Sequence, residues 1–387
     1  MTKKILIVFG TRPEAIKMAP VVIELQKHTQ TFQTKICVTA QHREMLDQVL
    51  SIFKITPDFD LNIMKPNQDL FDITSEILLK IKDVLTSFSP DLVLVHGDTT
   101  TAFTTALAAF YLKIPVGHVE AGLRTYSLFA PWPEELNRQL VDRMCAFHFA
   151  PTQQNADNLA KERVPLNDIV VTGNTVIDAL HLIINEIKTN TNLEEQILQT
   201  LQNVGYSVAQ HLTGKRKLIL VTGHRRENFG QGFLDICEAL KDIAKRHPNV
   251  DIVYPVHLNP NVRKPVFEIL ANISNLFLIE PLEYLPFVYL MNKAHFIITD
   301  SGGIQEEAPG LGKPVLVMRE TTERPEGVKA GTVILVGTDK DKIVKNAELL
   351  INNEKAYNKM SSAYNPYGKG DTSQIIVKYL LENFVNS

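Results

Sequence analysis

The stretch Lys4-Ile-Leu-Ile-Val-Phe-Gly10-Thr-Arg-Pro-Glu14 decides how the chain begins to fold. Its apolar run is short and is followed at once by a glycine, which predicts a buried β-strand over 4–9 that ends in a tight turn. Pro13 is typical of the first turn of a helix, because its fixed φ suits that position and its missing N–H costs nothing there. The stretch therefore predicts a strand, a glycine turn and a helix, in that order.

Short apolar runs alternate with longer amphipathic stretches along the rest of the chain. The runs form two series, and a helical interval over 176–209 separates them. Strands joined by helix-length crossovers indicate parallel sheets that are covered on both faces. We therefore expect an α/β fold with two doubly wound, Rossmann-like domains, over 1–175 and 176–369. The predicted strands are Lys4–Phe9, Thr34–Thr39, Leu92–Val95, Val116–Val119, Phe147–Ala150, Ile169–Val171, Leu218–Thr222, Asp251–Pro255, Leu276–Ile279, Phe296–Thr299, Val315–Val317 and Val333–Val336.

The composition of the 387 residues excludes several classes of protein. The chain has 40 basic and 43 acidic side chains and a formal charge of −3, which provides no electrostatic footprint for nucleic acid or a membrane surface. No apolar run approaches the roughly 20 residues of a membrane span, and the apolar start is too short for a signal peptide. Cys37, Cys145 and Cys237 are distant and lack metal-ligand spacing, which predicts reduced, buried thiols. We therefore expect a cytoplasmic protein without a nucleic-acid or membrane partner.

Polar residues stand directly after predicted strands in both halves of the chain. The carboxyl ends of parallel strands lie on one edge of a sheet, where open α/β sheets bind their ligands. Because these polar residues come from both series of strands, we expect the two domains to face each other across a ligand-binding cleft. The sets are Gly10–Arg12, Gln41–Arg43, His96–Asp98, Glu120–Gly122, Gly223–Arg226, His257, Asp300–Gly303 and Arg319.

The turn at Gly10 suits an anion but not a dinucleotide. A helix N-terminus attracts anions, and Arg12 and Lys17 add positive charge beside it. Gly10 stands alone where a dinucleotide site has G-x-G-x-x-G, and Thr39-Ala40-Gln41 provides no acid for a ribose. The sequence therefore disfavours NAD.

The motif Asp300-Ser-Gly-Gly-Ile-Gln-Glu-Glu307 gives the sharpest local signal. Gly302 and Gly303 allow backbone N–H groups to approach a phosphate closely at a helix start. Glu307 follows Gly303 by four residues, which puts it on the same helix face and suits a ribose diol. Its neighbour Glu306 lies further round the helix and is expected to be solvated. We therefore expect a nucleotide diphosphate at this motif.

A loop and a group of basic residues complete the predicted nucleotide site. The loop Pro281–Phe287 offers a platform for a nucleobase, and its Leu282 supplies only backbone groups. Fixed cations stabilise the negative charge that grows on a departing phosphate. The candidate cations of the second domain are His224, Arg225, Arg226, Arg319 and Arg324.

Asp98, Glu120 and Glu134 are three candidate catalytic carboxylates in strand-end loops or at a helix start. Acid–base chemistry requires such groups in a cleft with altered proton affinity. His96 and His118 are close to two of them in sequence, but H-x-D and H-x-E are not specific metal signatures, so we expect no metal. His118 lies within an apolar run and is expected to be a satisfied core histidine.

These residues alone indicate an enzyme that uses a nucleotide diphosphate ligand. A glycosyltransferase and an isomerase of a nucleotide sugar both fit them, and the spacing does not choose between the two. A non-enzymatic sensor of sugar nucleotides fits less well, because it does not need three converging carboxylates.

Several long motifs resemble those of bacterial non-hydrolysing UDP-N-acetylglucosamine 2-epimerases, and the resemblance extends over nearly the whole chain. The motifs are Phe9–Pro20, Thr39–Asp47, His96–Thr100, His118–Arg124, Thr222–Glu227, Asp300–Ala308 and Thr322–Glu326. The resemblance implies the two-domain GT-B glycosyltransferase-like fold, in which a C-terminal helix over 370–387 packs back on the first domain. It also implies a cofactor-free homodimer that reversibly converts UDP-GlcNAc to UDP-ManNAc for surface polysaccharide.

The matching motifs also imply a route and residue roles. UDP is eliminated across C1–C2 to give a glycal and is then added back, with Asp98, Glu120, Glu134 and His224 as catalytic residues whose acid and base roles stay unassigned. The implied substrate-binding residues are Arg12, Lys17, Asp98, Glu120, His224, Leu282, Phe287, Ser301, Gly302, Gly303, Glu307 and Arg324. A second, regulatory UDP-GlcNAc is implied at Gln41, His42, Gln68, Arg225 and His257, although Asn67 stands where some relatives carry arginine.

Overall fold

The computed structural model describes residues 2–40, 43–212, 214 and 216–385. Within these residues the chain contains thirteen β-strands and seventeen α-helices. It divides into two compact units. The first comprises Met1–Ala179 and Tyr367–Ser387, and the second comprises Leu180–Pro366.

The first unit contains a seven-stranded parallel sheet with helices between its strands. Its elements are β1 (Lys3–Phe9), α1 (Arg12–Gln26), β2 (Phe32–Val38), α2 (Arg43–Ile52), β3 (Phe59–Asp60), α3 (Leu70–Phe88), β4 (Leu92–His96), α4 (Thr100–Tyr111), β5 (Val116–Val119), α5 (Glu134–Met144), β6 (Phe147–Ala150), α6 (Gln153–Lys161), β7 (Ile169–Val171) and α7 (Thr175–Thr189), which continues into the second unit. The strand order is β3-β2-β1-β4-β5-β6-β7. The apolar residues 5–9 of β1 are fully buried, as expected for a central strand of a sheet covered on both faces.

The second unit contains a six-stranded parallel sheet with helices between its strands. Its elements are α8 (Thr191–Asn203), α9 (Val208–His211), β8 (Lys217–Thr222), α10 (Gln231–Arg246), β9 (Val250–Pro255), α11 (Pro260–Leu270), β10 (Leu276–Ile279), α12 (Tyr284–Lys293), β11 (Phe296–Thr299), α13 (Gly302–Gly310), β12 (Val315–Val317), α14 (Pro325–Ala330), β13 (Val333–Leu335), α15 (Lys340–Asn352) and α16 (Glu354–Ser361). The strand order is β10-β9-β8-β11-β12-β13. Phe233 of α10 and Phe296 of β11 are among the large side chains that fill its core.

The strands predicted from the sequence are all present, and their ends lie within two residues of the predicted ends. The sequence missed β3, because two residues are too few to give a periodic signal. They pair with Cys37 and Val38 at the edge of the sheet. The interval predicted as helical over 176–209 contains α7, α8 and the start of α9. The prediction of a parallel α/β fold class is confirmed.

The C-terminal helix α17 (Thr372–Asn383) belongs to the first unit, where it packs against α1. The buried carboxylate of Asp178 accepts hydrogen bonds from the N–H groups of Thr372 (3.2 Å) and Ser373 (2.7 Å) at the start of this helix. Burial raises the pKa of Asp178, and these hydrogen bonds oppose that rise. The ring of Tyr379 meets the ring of Phe147 edge to face, so the end of the chain is tied both to α7 and to the sheet.

The three cysteines are unpaired, and Cys37 and Cys237 are buried as predicted. The prediction of burial is wrong for Cys145, which is partly exposed because it follows the end of α5. Burial raises the pKa of the Cys37 and Cys237 thiols to about 12. Across the described ranges, no helix has both the length and the apolar character that crossing a membrane requires.

Candidate active site

The loops after β1, β4 and β5 lie side by side, because these three strands are neighbours in the first sheet. Gly10 ends β1 at a point where no larger residue fits. A Cβ there would overlap the hydroxyl of Thr39 and would lie 2.5 Å from the hydroxyl of Thr101. The glycine therefore lets the chain turn directly into α1, whose first residue is Arg12.

Glu14 joins the first of these loops to the second. Its Oε2 accepts hydrogen bonds from the N–H groups of Gly10 (3.1 Å) and Thr11 (2.8 Å) and from the Thr11 hydroxyl (2.8 Å). Its Oε1 accepts a hydrogen bond of 2.7 Å from the hydroxyl of Thr99, the residue after Asp98. Burial raises the pKa of Glu14, against the opposing effect of these hydrogen bonds. The sequence analysis missed this role, although a glutamate three residues after Thr11 is a capping-box signal.

Glu120 follows β5 in a left-handed backbone conformation with φ 68°. Its carboxylate contacts the ammonium of Lys17 and accepts a hydrogen bond of 3.1 Å from the side chain of Asn174. Its Oε2 lies 3.7 Å from Nε2 of His96. Burial lowers the pKa of His96 to about 3, so this ring is neutral near neutral pH. The structure thus brings Lys17 and Glu120 together and adds Asn174 and His96, which sequence reasoning did not assign to the site.

Asp98 is held by two residues of α5. Its carboxylate contacts the guanidinium of Arg138, and its backbone carbonyl accepts a hydrogen bond of 2.9 Å from the side chain of Asn137. Both side chains lie within about one turn of Glu134, which begins the helix. The sequence analysis missed Arg138 and Asn137, because nothing in the local pattern tells which face of α5 meets the β4 loop.

His118 is a satisfied core histidine, as predicted. It is fully buried, and its two ring nitrogens contact the Asp142 carboxylate (2.6 Å) and the Gly97 carbonyl oxygen (2.8 Å). Among the described residues, no group of three or more His, Cys, Asp and Glu side chains has an arrangement that would hold a metal ion.

A pocket of about 220 Å³ lies at the carboxyl edge of the second sheet. It is formed by residues that follow β8, β9, β10 and β11. Its walls gather five of the predicted site residues, which come from four separate loops. The lining residues are Thr222, Gly223, His224, Pro255, His257, Pro281, Leu282, Phe287, Ser301 and Ile304.

Asp300 supports the part of the pocket wall that contains His224. It is fully buried, and its Oδ2 accepts hydrogen bonds of 2.8 Å from the N–H groups of both His224 and Arg225. Its Oδ1 lies 3.4 Å from Nδ1 of His224. The His224 ring also stacks on the ring of His257, with 5.4 Å between centroids. The histidine is therefore fixed by its main chain, its ring nitrogen and its ring face.

The N-terminus of α13 is open to a ligand. Ser301 is its N-cap residue but makes no side-chain capping hydrogen bond. A Cβ added to Gly302 would meet no atom nearer than 3.8 Å, and one added to Gly303 would meet the Glu307 carboxylate at 3.6 Å. Glu307 therefore stands beside the glycines on one face of the helix, as its spacing predicts.

One expectation about the side chains of this region needs correction. Glu306 is not solvated: it is buried and paired with the guanidinium of Arg324, since α13 packs against the loop after β12. Arg319 is likewise buried, with ion pairs of 2.7 Å to Glu227 and Glu323. The charges of Arg319 and Arg225 and hydrogen bonds lower the pKa of Glu323 to about 2, although burial alone would raise it.

The described residues of the implied regulatory site belong to both units. Gln68 lies before α3, where it accepts a hydrogen bond of 2.8 Å from the N–H of Lys65 and donates one of 3.3 Å to Glu76. His257 lines the pocket of the second unit, and Arg225 is half-buried beside it. Gln41 and His42 lie outside the described residues.

The model that represents the UDP-N-acetylglucosamine 2-epimerase family matches residues 24–381. This chain belongs to that family. A curated relative from Campylobacter jejuni, named UDP-N-acetylglucosamine 2-epimerase, is 58% identical over 382 residues, which are 99% of this chain and 98% of the relative.

Solved structures of the family match the fold over nearly the whole chain. The structure of UDP-GlcNAc 2-epimerase from Neisseria meningitidis bound to UDP-GlcNAc is 56% identical, with a TM-score of 0.85, and the match covers 98% of this chain and 100% of that one. The Methanocaldococcus jannaschii enzyme in complex with UDP-GlcNAc and UDP is 34% identical, with a TM-score of 0.76 over the same shares. The family's two-domain GT-B-like fold class, implied by the sequence motifs, is thereby confirmed.

We expect Glu14→Ala to lower the free energy of unfolding of the first unit by about 2–4 kcal/mol, because several buried donors lose their acceptor. Glu14→Gln should lose much less, since its amide oxygen can accept from the Gly10 and Thr11 N–H groups while its NH₂ donates to Thr99. Urea unfolding followed by the fluorescence of Trp132, the single tryptophan, measures the first unit. Asp157→Ala, at an exposed acid of α6, is the control. Equal losses in the Ala and Gln variants would contradict this account.

Proposed function

We propose that this chain is an isomerase that reversibly converts UDP-GlcNAc to UDP-ManNAc by inverting C2 of the sugar. One observation carries the proposal: the strand-end loops of the first unit hold carboxylates, and those of the second unit form a pocket beside a glycine-rich helix start. Carboxylates suit proton transfer, and the helix start suits a diphosphate. The Campylobacter jejuni relative carries the name of the same activity.

The second unit is proposed to bind the UDP moiety. The backbone N–H groups of Gly302 and Gly303 and the hydroxyl of Ser301 would contact the diphosphate, since an added Cβ at either glycine meets nothing closer than 3.6 Å. Glu307 suits the ribose hydroxyls, because a carboxylate accepts hydrogen bonds from both. Phe287, in the pocket wall, gives an apolar surface for the uracil ring. The backbone of Leu282 suits the edge of the base, and Arg324 supports the site through its pair with Glu306.

The first unit is proposed to supply the proton-transfer groups. Asp98, Glu120 and Glu134 are the candidates for the acid and base of the two half-reactions. Arg12 and Lys17, at the start of α1, add positive charge for the diphosphate, together with His224 from the second unit. Lys17 contacts Glu120, so one cation can serve both the carboxylate and the departing phosphate. In the proposed enzyme, the first domain thus supplies the proton-transfer groups and the second binds the nucleotide.

The proposed route is elimination followed by readdition. The C2 proton of an acetamido sugar has no neighbouring carbonyl group to acidify it, so it must leave together with a good leaving group. A carboxylate takes that proton, the C1–O bond breaks, UDP departs with the electron pair and a C1–C2 double bond forms. The diphosphate then attacks C1 again while a proton is delivered to the other face of C2. No net oxidation occurs, so the route needs no redox cofactor.

We also propose a homodimer formed through the first unit. Large apolar side chains are exposed on the adjacent helices α3, α4 and α5, where a second copy would cover them. These side chains are Phe71, Leu79, Phe110, Tyr111, Leu136 and Leu140. A cytoplasmic location completes the proposal, since three unpaired thiols are usual in a reducing compartment.

A second UDP-GlcNAc is proposed to regulate the enzyme. Gln41, His42, Gln68, Arg225 and His257 are the residues assigned to this second ligand. The Methanocaldococcus jannaschii structure, with both UDP-GlcNAc and UDP, supports the idea that this family accommodates more than one nucleotide. A ligand that binds both domains would favour the conformation in which both contact it. Asn67 provides no cation there, which should weaken this binding.

The direct test is turnover of UDP-GlcNAc in D₂O without any sugar acceptor, followed by NMR of C2. We expect UDP-ManNAc to form and to carry deuterium at C2, because the proton removed exchanges with solvent before another is returned. Epimer without deuterium would contradict the proton-transfer route. Release of UDP only when an acceptor is added would favour a glycosyltransferase instead.

Asp98→Asn, Glu120→Gln and Glu134→Gln should each lower kcat by about 100-fold or more, because a positioned acid or base contributes roughly that much. The UDP affinity of Glu134→Gln should stay near that of the native enzyme, since Glu134 is not among the proposed UDP contacts. Asp157→Asn, which also neutralises one acid but on an exposed face, controls for the change of charge. Near-native turnover in all three variants would show that the proton-transfer site lies elsewhere.

A further inference from the structure

A buried ionic cluster lies beneath the two loops that carry Asp98 and Glu120. Asp142 of α5 contacts His118 through Oδ1 (2.6 Å) and Arg124 through Oδ2 (2.8 Å). Arg124 in turn donates to Glu162 through Nε (2.7 Å) and Nη2 (2.9 Å). The side chains of His118 and Arg124 are fully buried and that of Asp142 nearly so. The sequence explained His118 only as a core residue.

Hydrogen bonding determines the charge of His118. Its Nε2 faces the carbonyl oxygen of Gly97 at 2.8 Å, and a carbonyl can only accept. Its Nδ1 faces the Asp142 carboxylate, whose other oxygen already accepts from Arg124 and from the N–H of Gly122 (3.2 Å). Because the Arg124 guanidinium and the Gly122 N–H both donate to it, the Asp142 carboxylate is favoured in its ionised form. Both partners of His118 are therefore acceptors, and both ring nitrogens must donate.

A doubly protonated His118 gives the cluster a balanced charge. Two cations, His118 and Arg124, face two anions, Asp142 and Glu162. His96, on the neighbouring strand β4, is neutral because burial lowers its pKa to about 3. His148 meets the cluster through the backbone carbonyl oxygen of Asp142 (2.8 Å), and its other ring nitrogen lies 3.2 Å from the carbonyl oxygen of Asp168. Removing one member would leave an uncompensated charge in the interior, which proteins avoid.

The cluster also binds the backbone of the loop that carries Asp98 and of the loop that carries Glu120. Gly97, the partner of Nε2, immediately precedes Asp98. Gly122, the partner of Asp142 Oδ2, follows Glu120 by two residues and has φ 84°. A Cβ at Gly122 would overlap the carbonyl oxygen of Asn155, so only glycine fits at this position. One Asp–His pair thus sets the positions of two loops that come from different strands.

We propose that His118, kept as an imidazolium ion by Asp142, is a positioning residue that fixes Asp98 and Glu120 relative to each other. The inference rests on the proposed function only for what these two carboxylates do; the charge of His118 and its contacts stand without it. His118 does not touch the substrate in this proposal and acts entirely through the two loops.

The first test uses the native enzyme, labelled with ¹⁵N-histidine. We expect His118 to show two slowly exchanging N–H protons near neutral pH, one of them strongly shifted downfield by the short contact with Asp142. A single N–H on His118 near neutral pH would overturn the proposal. This result does not depend on turnover or on any variant being able to fold.

The second test compares Asp142→Asn with Asp251→Asn. Asp251 is a matched control, because it is a fully buried aspartate of the second unit that pairs with Arg216 (2.6 Å) and lies 3.6 Å from His211. We expect Asp142→Asn to lower kcat about 10- to 100-fold, because small displacements of catalytic groups cost that much. Its KM should change less than about threefold, and its UDP affinity should be unchanged. Asp251→Asn should keep the native kcat even if it lowers the thermal stability.

Native kcat in Asp142→Asn, or parallel losses of kcat and UDP affinity, would overturn the positioning role. The solvent-exchange behaviour of the native enzyme separates this outcome from a failure of the proposed function. If the native enzyme shows the doubly protonated His118 but places no deuterium at C2 of UDP-GlcNAc, the proposed reaction fails while the charge assignment stands. If it exchanges C2 and His118 carries one proton, the positioning proposal fails while the reaction stands.

Discussion

Parallel strands deliver every following loop to one edge of a sheet, and the buried N–H groups of those loops must find acceptors. In this chain, buried carboxylates meet that requirement. Each accepts hydrogen bonds from the backbone of one loop and is itself inaccessible to a ligand. They are Glu14 for Gly10 and Thr11, Asp142 for Gly122, and Asp300 for His224 and Arg225. The sites at both sheet edges depend on these acceptors, because without them the buried N–H groups would be unpaired and the loops would not hold one conformation.

The acids of the first unit therefore fall into two groups with different surroundings. Glu14 and Asp142 are almost completely buried and bind neighbouring loops. Asp98 and Glu120 are more accessible, and each contacts a cation, Arg138 or Lys17. A carboxylate that transfers protons must reach its substrate. One that holds a loop must be shielded from water, because its hydrogen bonds are stronger in the dry interior of the protein. If Asp98 and Glu120 transfer protons as proposed, the separation of these roles explains why so many acids gather at one sheet edge.

The same constraint explains how much of the molecule the sequence predicts. Apolar runs such as Ile5–Phe9 identify nearly every strand, because strands buried on both faces need uninterrupted apolar residues. The polar residues that follow them identify the sheet edges. The loop anchors were missed, because their partners are distant in sequence: Glu14 meets Thr99, 85 residues away, and Asp300 meets His224, 76 residues away. Glu306 was misjudged for the same reason, since its partner Arg324 lies beyond the next strand.

The central claim is that the C1–O bond to the diphosphate breaks and reforms during each epimerisation. Positional isotope exchange measures that event directly, with UDP-GlcNAc that carries ¹⁸O in the bridge between C1 and the β-phosphorus. If UDP departs, its β-phosphate rotates before readdition, so we expect ³¹P NMR to show ¹⁸O distributed among bridging and non-bridging positions in recovered substrate and in UDP-ManNAc. Epimerised product that retains all of its ¹⁸O in the bridge would contradict the account.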